Sequence, residues 1–278
     1  MRVILILVIG YGILVLLAYS CQDRLTYFPS RFSLSETDRL AGRLGLKRWP
    51  SEAAEYRGLI SQTDNFTPNG TVVVFHGNAG SAMDRVYYVH ALKRLGYRVI
   101  LAEYPGYGGR TGKFGESSFV ADANRTLQLA LKEFGRPLFV WGESLGCGVA
   151  AGAVARSGIP IDGVVLLTPW DTLPNVAHAH YRILPTKWLV RDQYDNIANL
   201  KVYQGPVAVV MAGRDEIIPN RLTLNLYDAL DEPKRVWVFE QAGHNSWPAD
   251  PMRVWWEEIM KWIRIQCSSK SLPGQPQK

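Results

Sequence analysis

The chain has 278 residues, 47% hydrophobic and 20% charged, which excludes an intrinsically disordered polypeptide and fits one large domain or two small ones. Lys and Arg total 31 against 25 Asp and Glu, a formal net charge of +6. The basic residues are scattered, without the stripe or patch that a nucleic-acid partner requires, so a mild attraction to anionic membrane surfaces is the better use of the excess.

The start, MRVILILVIGYGILVLLAYSC, runs from Val3 to Tyr19 without a charge. That length is at the lower limit for a membrane-spanning helix and long for the apolar core of a cleaved signal peptide. Residues 1–20 are therefore expected to be a signal-anchor. The alternatives are cleavage near Ala18 to Cys21 or acylation of Cys21 as in a lipoprotein. Nothing polar marks a solvent face, which argues against a core helix. Arg2 on one side, with Arg24 and Arg31 on the other, favours placing the main domain outside the cytoplasm. Residues 21–50 are mixed and polar and read as a juxtamembrane connector with one short helix after Ser35.

From residue 51 to 267 short β-like runs alternate with helical patterns. In order they are EYRGLI, TVVVF, a helix near 82–95, RVILAEY, a helix at 117–134, PLFVW, a helix at 145–157 and GVVLLT. PVAVVMA, a helix near 220–230, RVWVFE and a helix near 250–265 complete the series. TVVVF, LFVW, VVLL and VAVVM lack polar alternation, as strands covered on both faces do. Strands alternating with helices imply a mostly parallel central sheet flanked by helices, with right-handed crossovers. The stretch 171–200 after GVVLLT exceeds a single crossover helix and contains Pro174 and Pro185, so it is expected to form a small lid. The tail, 268–278, is polar and is expected to be disordered. The three cysteines, Cys21, Cys147 and Cys267, include no C-x-x-C pair, and Cys147 reads as a small buried thiol.

GESLG at 142–146 is common enough by chance that its context must decide its meaning. It is the only connection between the strand PLFVW and a helix, and a turn that abrupt forces Ser144 into a strained backbone conformation that flanking glycines relieve. The same turn aims the Leu145 N–H, at a helix N-terminus, where a carbonyl oxygen would become negative. A serine nucleophile needs a base and the base an orienting acid. Of five histidines, His244 follows the last strand and precedes the last helix, so its loop lies over the sheet edge that holds Ser144. Asp215 follows the preceding strand, giving the order Ser, Asp, His; Glu216 and Asp171 are alternative acids. The turn after TVVVF, HGNAGSA, lets the backbone approach a substrate, and the Asn78 N–H is expected to pair with that of Leu145. His76 there reads as a loop brace. GYGGRTGKF fails as a phosphate-binding loop because Tyr107 and Phe114 stand where Gly and Ser or Thr are required. His178 and His180, two apart without a third ligand, read as lid-surface residues.

With FHGNAGS, EYPGYGGRTG, GESLG, GRDEIIP and AGHNS in place, the chain resembles the α/β-hydrolase superfamily. More narrowly, it is similar to the membrane-anchored α/β-hydrolase-domain proteins that include lysophospholipases and protein depalmitoylases. YFPSR at 27–31 also matches anchored relatives. The resemblance implies an α/β-hydrolase fold with a short lid after the sixth strand. It also implies a Ser144, Asp215 and His244 triad with Asn78 and Leu145 as oxyanion donors. Glu103 and Ser246 depart from the usual Asp at their positions, which bears on substrate details near the site. The expected activity is hydrolysis of a carboxylic ester or thioester of a lipid or acylated molecule through an acyl-enzyme, with no cofactor or metal called for. Peptide hydrolysis on the same fold and a non-catalytic binding role are the alternatives.

Overall fold

The unalternating apolar runs form the centre of one sheet in the computed structural model, which describes residues 1–62 and 66–270. The strands are β1 (Leu46–Trp49), β2 (Gly58–Ser61), β3 (Thr71–Phe75), β4 (Arg98–Ala102), β5 (Leu138–Glu143), β6 (Gly163–Leu167), β7 (Val207–Ala212) and β8 (Lys234–Phe239). They are ordered β1-β2-β4-β3-β5-β6-β7-β8. The two pairings made by β2 are antiparallel and all others are parallel.

Every residue of β3, β5, β6 and β7 is buried, because alternate side chains enter two different cores. Val73, Phe75, Val140, Val164 and Val209 pack on one side with α5 (Glu116–Phe134) and α6 (Leu145–Arg156). Val72, Val74, Trp141, Val165 and Val210 pack on the other with α4 (Val86–Arg94) and α11 (Trp255–Lys270). Both faces are covered, so neither needs polar residues.

Upstream of the sheet, α1 (Arg2–Ser20) is the one helix among the described residues long and apolar enough to cross a membrane by length and composition. It runs almost directly into α2 (Gln22–Thr26). The segment expected as a connector is more structured than its composition suggests. The helix expected after Ser35 begins earlier, as α3 (Leu34–Arg43), where Ser33 Oγ accepts the Glu36 N–H and the Glu36 carboxylate accepts the Ser33 N–H. Then β1 enters the main sheet as an edge strand, its Lys47 exposed and its Leu46 and Trp49 buried. Phe28 and Pro29 pair in parallel with Ala79 and Gly80, so the chain just after α2 lies along the loop that follows β3.

Between β6 and β7 the insertion contains α7 (Leu173–His180), α8 (Thr186–Leu189) and α9 (Asn196–Leu200). Pro185 falls at the break before α8 as expected, whereas Pro174 lies in the first turn of α7, where its missing N–H costs nothing, and divides no helices. After β7 comes α10 (Asn220–Ala229). The last helix starts at Trp255, beyond Pro251, and continues through Lys270. Residues 268–270, placed in the tail by the sequence, therefore extend that helix; the rest of the expected disordered tail, 271–278, lies outside the described residues.

The α11 face is anchored by aromatic packing. Trp256 is fully buried, stacks on Trp255 at 4.0 Å and meets Tyr88 and Trp141 at 5.3 Å. Replacing so large a buried ring leaves a cavity that its neighbours fill only in part. Trp256→Ala is expected to lower stability by about 3–5 kcal/mol in denaturant unfolding, with the native fold retained in buffer.

Candidate active site

The end of β5 turns into α6 within a single residue. Ser144 has φ 51° and ψ −117°, a conformation that costs a non-glycine residue of order 1–3 kcal/mol. The crowding expected around it is measurable. A Cβ on Gly142 would lie 2.6 Å from the Gly146 carbonyl oxygen, and one on Gly146 would lie 1.9 Å from that of Phe75. Only glycine fits either place, and the closeness holds the first turn of α6 against the end of β3.

Ser144 Oγ is 2.9 Å from His244 Nε2, and His244 Nδ1 is 2.8 Å from Asp215 Oδ2 and 3.1 Å from Oδ1. The carboxylate can only accept, so Nδ1 carries the proton and Nε2 offers its lone pair to the serine hydroxyl. Asp215 Oδ1 also accepts the N–H groups of Ile217 (2.9 Å) and Ile218 (2.7 Å), which fix the carboxylate in its turn after β7. The His244 and Asp215 side chains are 7% and 3% exposed, so water competes little for these bonds. The three residues expected from sequence are thus brought together.

The other two acids have different work. Asp171 Oδ1 accepts the Thr172 N–H, and its Oδ2 accepts from the side chains of Asn175 and Asn225, at the base of the lid. Glu216 Oε2 accepts the His244 backbone N–H at 3.0 Å, bracing the histidine loop.

As the first residue of α6, Leu145 has no intrahelical acceptor for its N–H. Asn78 sits in the facing loop, and both residues line the cavity above Ser144. That loop is tightly held. The Asn78 carbonyl accepts from the Phe28 N–H (2.9 Å) and from Tyr107 Oη–H (2.7 Å), while Asn78 Nδ2 donates to the Thr26 carbonyl (2.9 Å). Beneath it His76, 1% exposed, donates Nδ1–H to the Gly77 carbonyl (2.7 Å) and faces Glu103 with Nε2 (3.1 Å), which makes it the loop brace expected. Glu103 Oε2 accepts the Ala82 N–H, and Ser246 Oγ accepts the Gly243 N–H. Both departures from the usual family pattern therefore sit in supporting structure, and neither is among the cavity-lining residues.

Several participants were not singled out from sequence. Glu143, next to the serine, accepts from Arg85 Nε (2.8 Å), Tyr87 (2.7 Å) and Tyr88 (3.0 Å), which leaves neither carboxylate oxygen without a donor. Tyr107 lies inside the EYPGYGG motif, but nothing in the motif names its acceptor, the Asn78 carbonyl. His180, expected on the lid surface, is exposed but also lines the cavity and makes a 2.7 Å hydrogen bond from Nε2 to the Ile217 carbonyl, tying the lid to the acid loop. The cavity over Ser144 measures about 450 Å3. Its upper walls are mainly aliphatic, with Leu173, Val176, Leu184 and Leu189 from the lid and Ile218 from the acid loop. Among the described residues, no group of three or more His, Cys, Asp and Glu has the arrangement of a metal site.

Against this geometry, the comparisons with known proteins agree on fold and broad chemistry. The family described as serine aminopeptidase, S33, matches residues 67–191, which include Asn78 and Ser144. An uncharacterized protein of Mycobacterium tuberculosis is 32% identical over 249 residues, covering 88% of this chain and 87% of that protein. The lysophosphatidylserine lipase of Danio rerio is 31% identical over 182 residues, 59% of this chain and 48% of the lipase, so the chain spans about half that protein's length. An esterase of Pyrococcus furiosus superposes with a TM-score of 0.64 at 16% identity, over 87% of this chain and 97% of the esterase. The chain belongs to the α/β-hydrolase superfamily.

Cys147, three residues after the serine, is a useful contrast. It is fully buried, its Sγ lies 3.2 Å from the Gly142 carbonyl oxygen, and burial pushes its thiol well above the usual range. A raised pKa removes the thiolate that alkylating agents need. Iodoacetamide at pH 8 is expected to leave Cys147 unmodified in the native protein and to label it after denaturation, read by peptide mass spectrometry.

Proposed function

We propose that this protein is a serine hydrolase that cleaves a carboxylic ester or thioester of a lipid or acylated molecule through an acyl-enzyme on Ser144. The observation that carries the reading is the unbroken chain of hydrogen bonds from Asp215 through His244 to Ser144 at the floor of an apolar cavity. Ser144 Oγ attacks the substrate carbonyl carbon as its proton passes to His244 Nε2. Asp215 holds the imidazole in the required tautomer and stabilises the imidazolium that forms. The carbonyl oxygen, now negative, takes hydrogen bonds from the N–H groups of Leu145 and Asn78. Collapse of this intermediate expels the alcohol or thiol, which takes the proton from Nε2. Water then attacks the acyl group by the same route and frees the acid.

Lipid substrates are supported by the aliphatic walls, by the apolar helix α1, and by resemblance to lysophosphatidylserine lipases. Membrane association through α1 is part of this proposal. An aminopeptidase reading, suggested by the description of the matching family, would need a carboxylate to receive the substrate's terminal ammonium. Among the described residues Glu143 is the only carboxylate lining the cavity, and Arg85, Tyr87 and Tyr88 already engage both of its oxygens.

A fluorophosphonate probe is expected to label the wild type and not Ser144→Ala; equal labelling of the two would overturn the assignment. Asp215→Asn favours the wrong histidine tautomer, and the expected fall in kcat on an acyl ester is about 10⁴-fold, the size of that effect in a serine protease.

A further inference from the structure

The cavity above Ser144 is not closed by the hydrolase fold alone. Ala18 of α1 and Leu25 of α2 form part of its lining, opposite Leu184 and Leu189 of the lid. One stripe along the N-terminal segment runs Tyr11, Val15, Ala18, Gln22, Leu25, in steps of four and three that keep one helical face together. Within α1, Val15 and Ala18 are the two residues less exposed than the rest.

Polar bonds pin this stripe to the lid. Near the middle of α1, Tyr11 Oη–H donates to the Ile183 carbonyl at 2.8 Å. At the α2 end, Gln22 Nε2 donates to the Leu189 carbonyl (2.9 Å), and Gln22 Oε1 accepts the Arg191 N–H (2.9 Å). Arg191 also pairs with Asp23 at 2.6 Å and lies 5.6 Å from the centre of the Tyr19 ring. The slot between helix and lid therefore has a defined width.

Its chemistry selects the occupant. Polar groups able to act on a carbonyl gather at the floor, around Ser144 and His244, while the walls toward α1 are aliphatic. Of the polar side chains that reach the cavity there, Gln22 is engaged by the lid backbone, His180 by the Ile217 carbonyl and Arg85 by Glu143, while Thr26, Tyr181 and Thr186 bring uncharged hydroxyls only. A charged head group in this slot would lose water without gaining an unengaged opposite charge, since Arg85 and Glu143 pair with each other, whereas a hydrocarbon chain would lose nothing.

We propose that the N-terminal apolar helix forms one wall of a fatty-acyl binding slot, with Ala18 facing the acyl chain of the ester bound at Ser144 and limiting its length. This rests on the acyl-enzyme reading above and adds the part of the substrate that the slot receives. The slot runs along a helix of membrane-spanning character, so an acyl chain leaving a bilayer beside α1 reaches the serine without crossing water.

The test uses the full-length protein in detergent micelles and p-nitrophenyl esters from butyryl to palmitoyl. A tryptophan at position 18 fills the slot partway along. For Ala18→Trp, the ratio of kcat/KM for palmitoyl over butyryl ester is expected to fall about tenfold or more relative to wild type, since each methylene denied burial loses binding. Leu16→Trp, on the face of α1 turned away from the cavity, is expected to keep the wild-type ratio and rates. An unchanged ratio in Ala18→Trp, or the same loss in both variants, would overturn the proposal while leaving the hydrolase reading intact. A wild type that cleaves no ester in the series would overturn both.

Discussion

The candidate site depends first on how closely α6 approaches β3. With only 1.9 Å between a would-be Gly146 Cβ and the Phe75 carbonyl oxygen, the first turn of α6 packs backbone to backbone on the strand that leads to Asn78. That contact brings the Leu145 N–H and the Asn78 loop to one cavity, and it obliges the residue before Leu145 to take the positive φ observed at Ser144. The strain at Ser144 is held in place by the sheet: its own N–H donates to the Leu167 carbonyl of β6 at 2.9 Å. The serine hydroxyl facing the cavity, the N–H groups of Leu145 and Asn78 beside it and the packing of α6 on the sheet are thus consequences of one steric arrangement.

Around that turn, supporting bonds arrive from distant parts of the chain. Thr26 and Phe28 hold Asn78, Tyr107 holds its carbonyl, and Glu216 holds the backbone of His244. Each of these bonds has a main-chain group at one end or both, and none engages the side chain of Ser144, Asp215 or His244. The lid joins the same framework, through His180 to the acid loop and through Gln22 and Arg191 to the N-terminal helices. Lid, N-terminal helices and active-site loops therefore share a set of hydrogen bonds.

The central strands and the order of Ser144, Asp215 and His244 were legible in the sequence because each rests on a local signal. TVVVF and VAVVM are apolar throughout since both their faces are covered, and the triad residues each follow a recognisable strand. What stayed hidden rests on long-range pairing. β1 is four residues long with two of them basic, and only its partner β2 makes it a strand. Asp171 and Asp215 both follow strands, and nothing nearby in sequence separates them; the structure does so by giving one to Asn175 and Asn225 and the other to His244. The braces from Tyr107 and Glu216 end on backbone atoms and that to Asn78 Nδ2 starts from the Thr26 carbonyl, and backbone atoms carry no residue signature. The apolar N-terminus was legible as a membrane-type helix by composition, whereas its contact with the cavity required the positions of Ala18 and Leu25 against the lid.

The central claim is an acyl group carried covalently on Ser144. Its most direct measurement is acid quenching of the wild type during turnover of a slowly deacylating ester, followed by intact-protein and peptide mass spectrometry. The account predicts a single added acyl mass on the peptide that contains Ser144, which disappears as the free acid accumulates. Steady ester turnover with no adduct at any time, or an adduct confined to another residue, would contradict it.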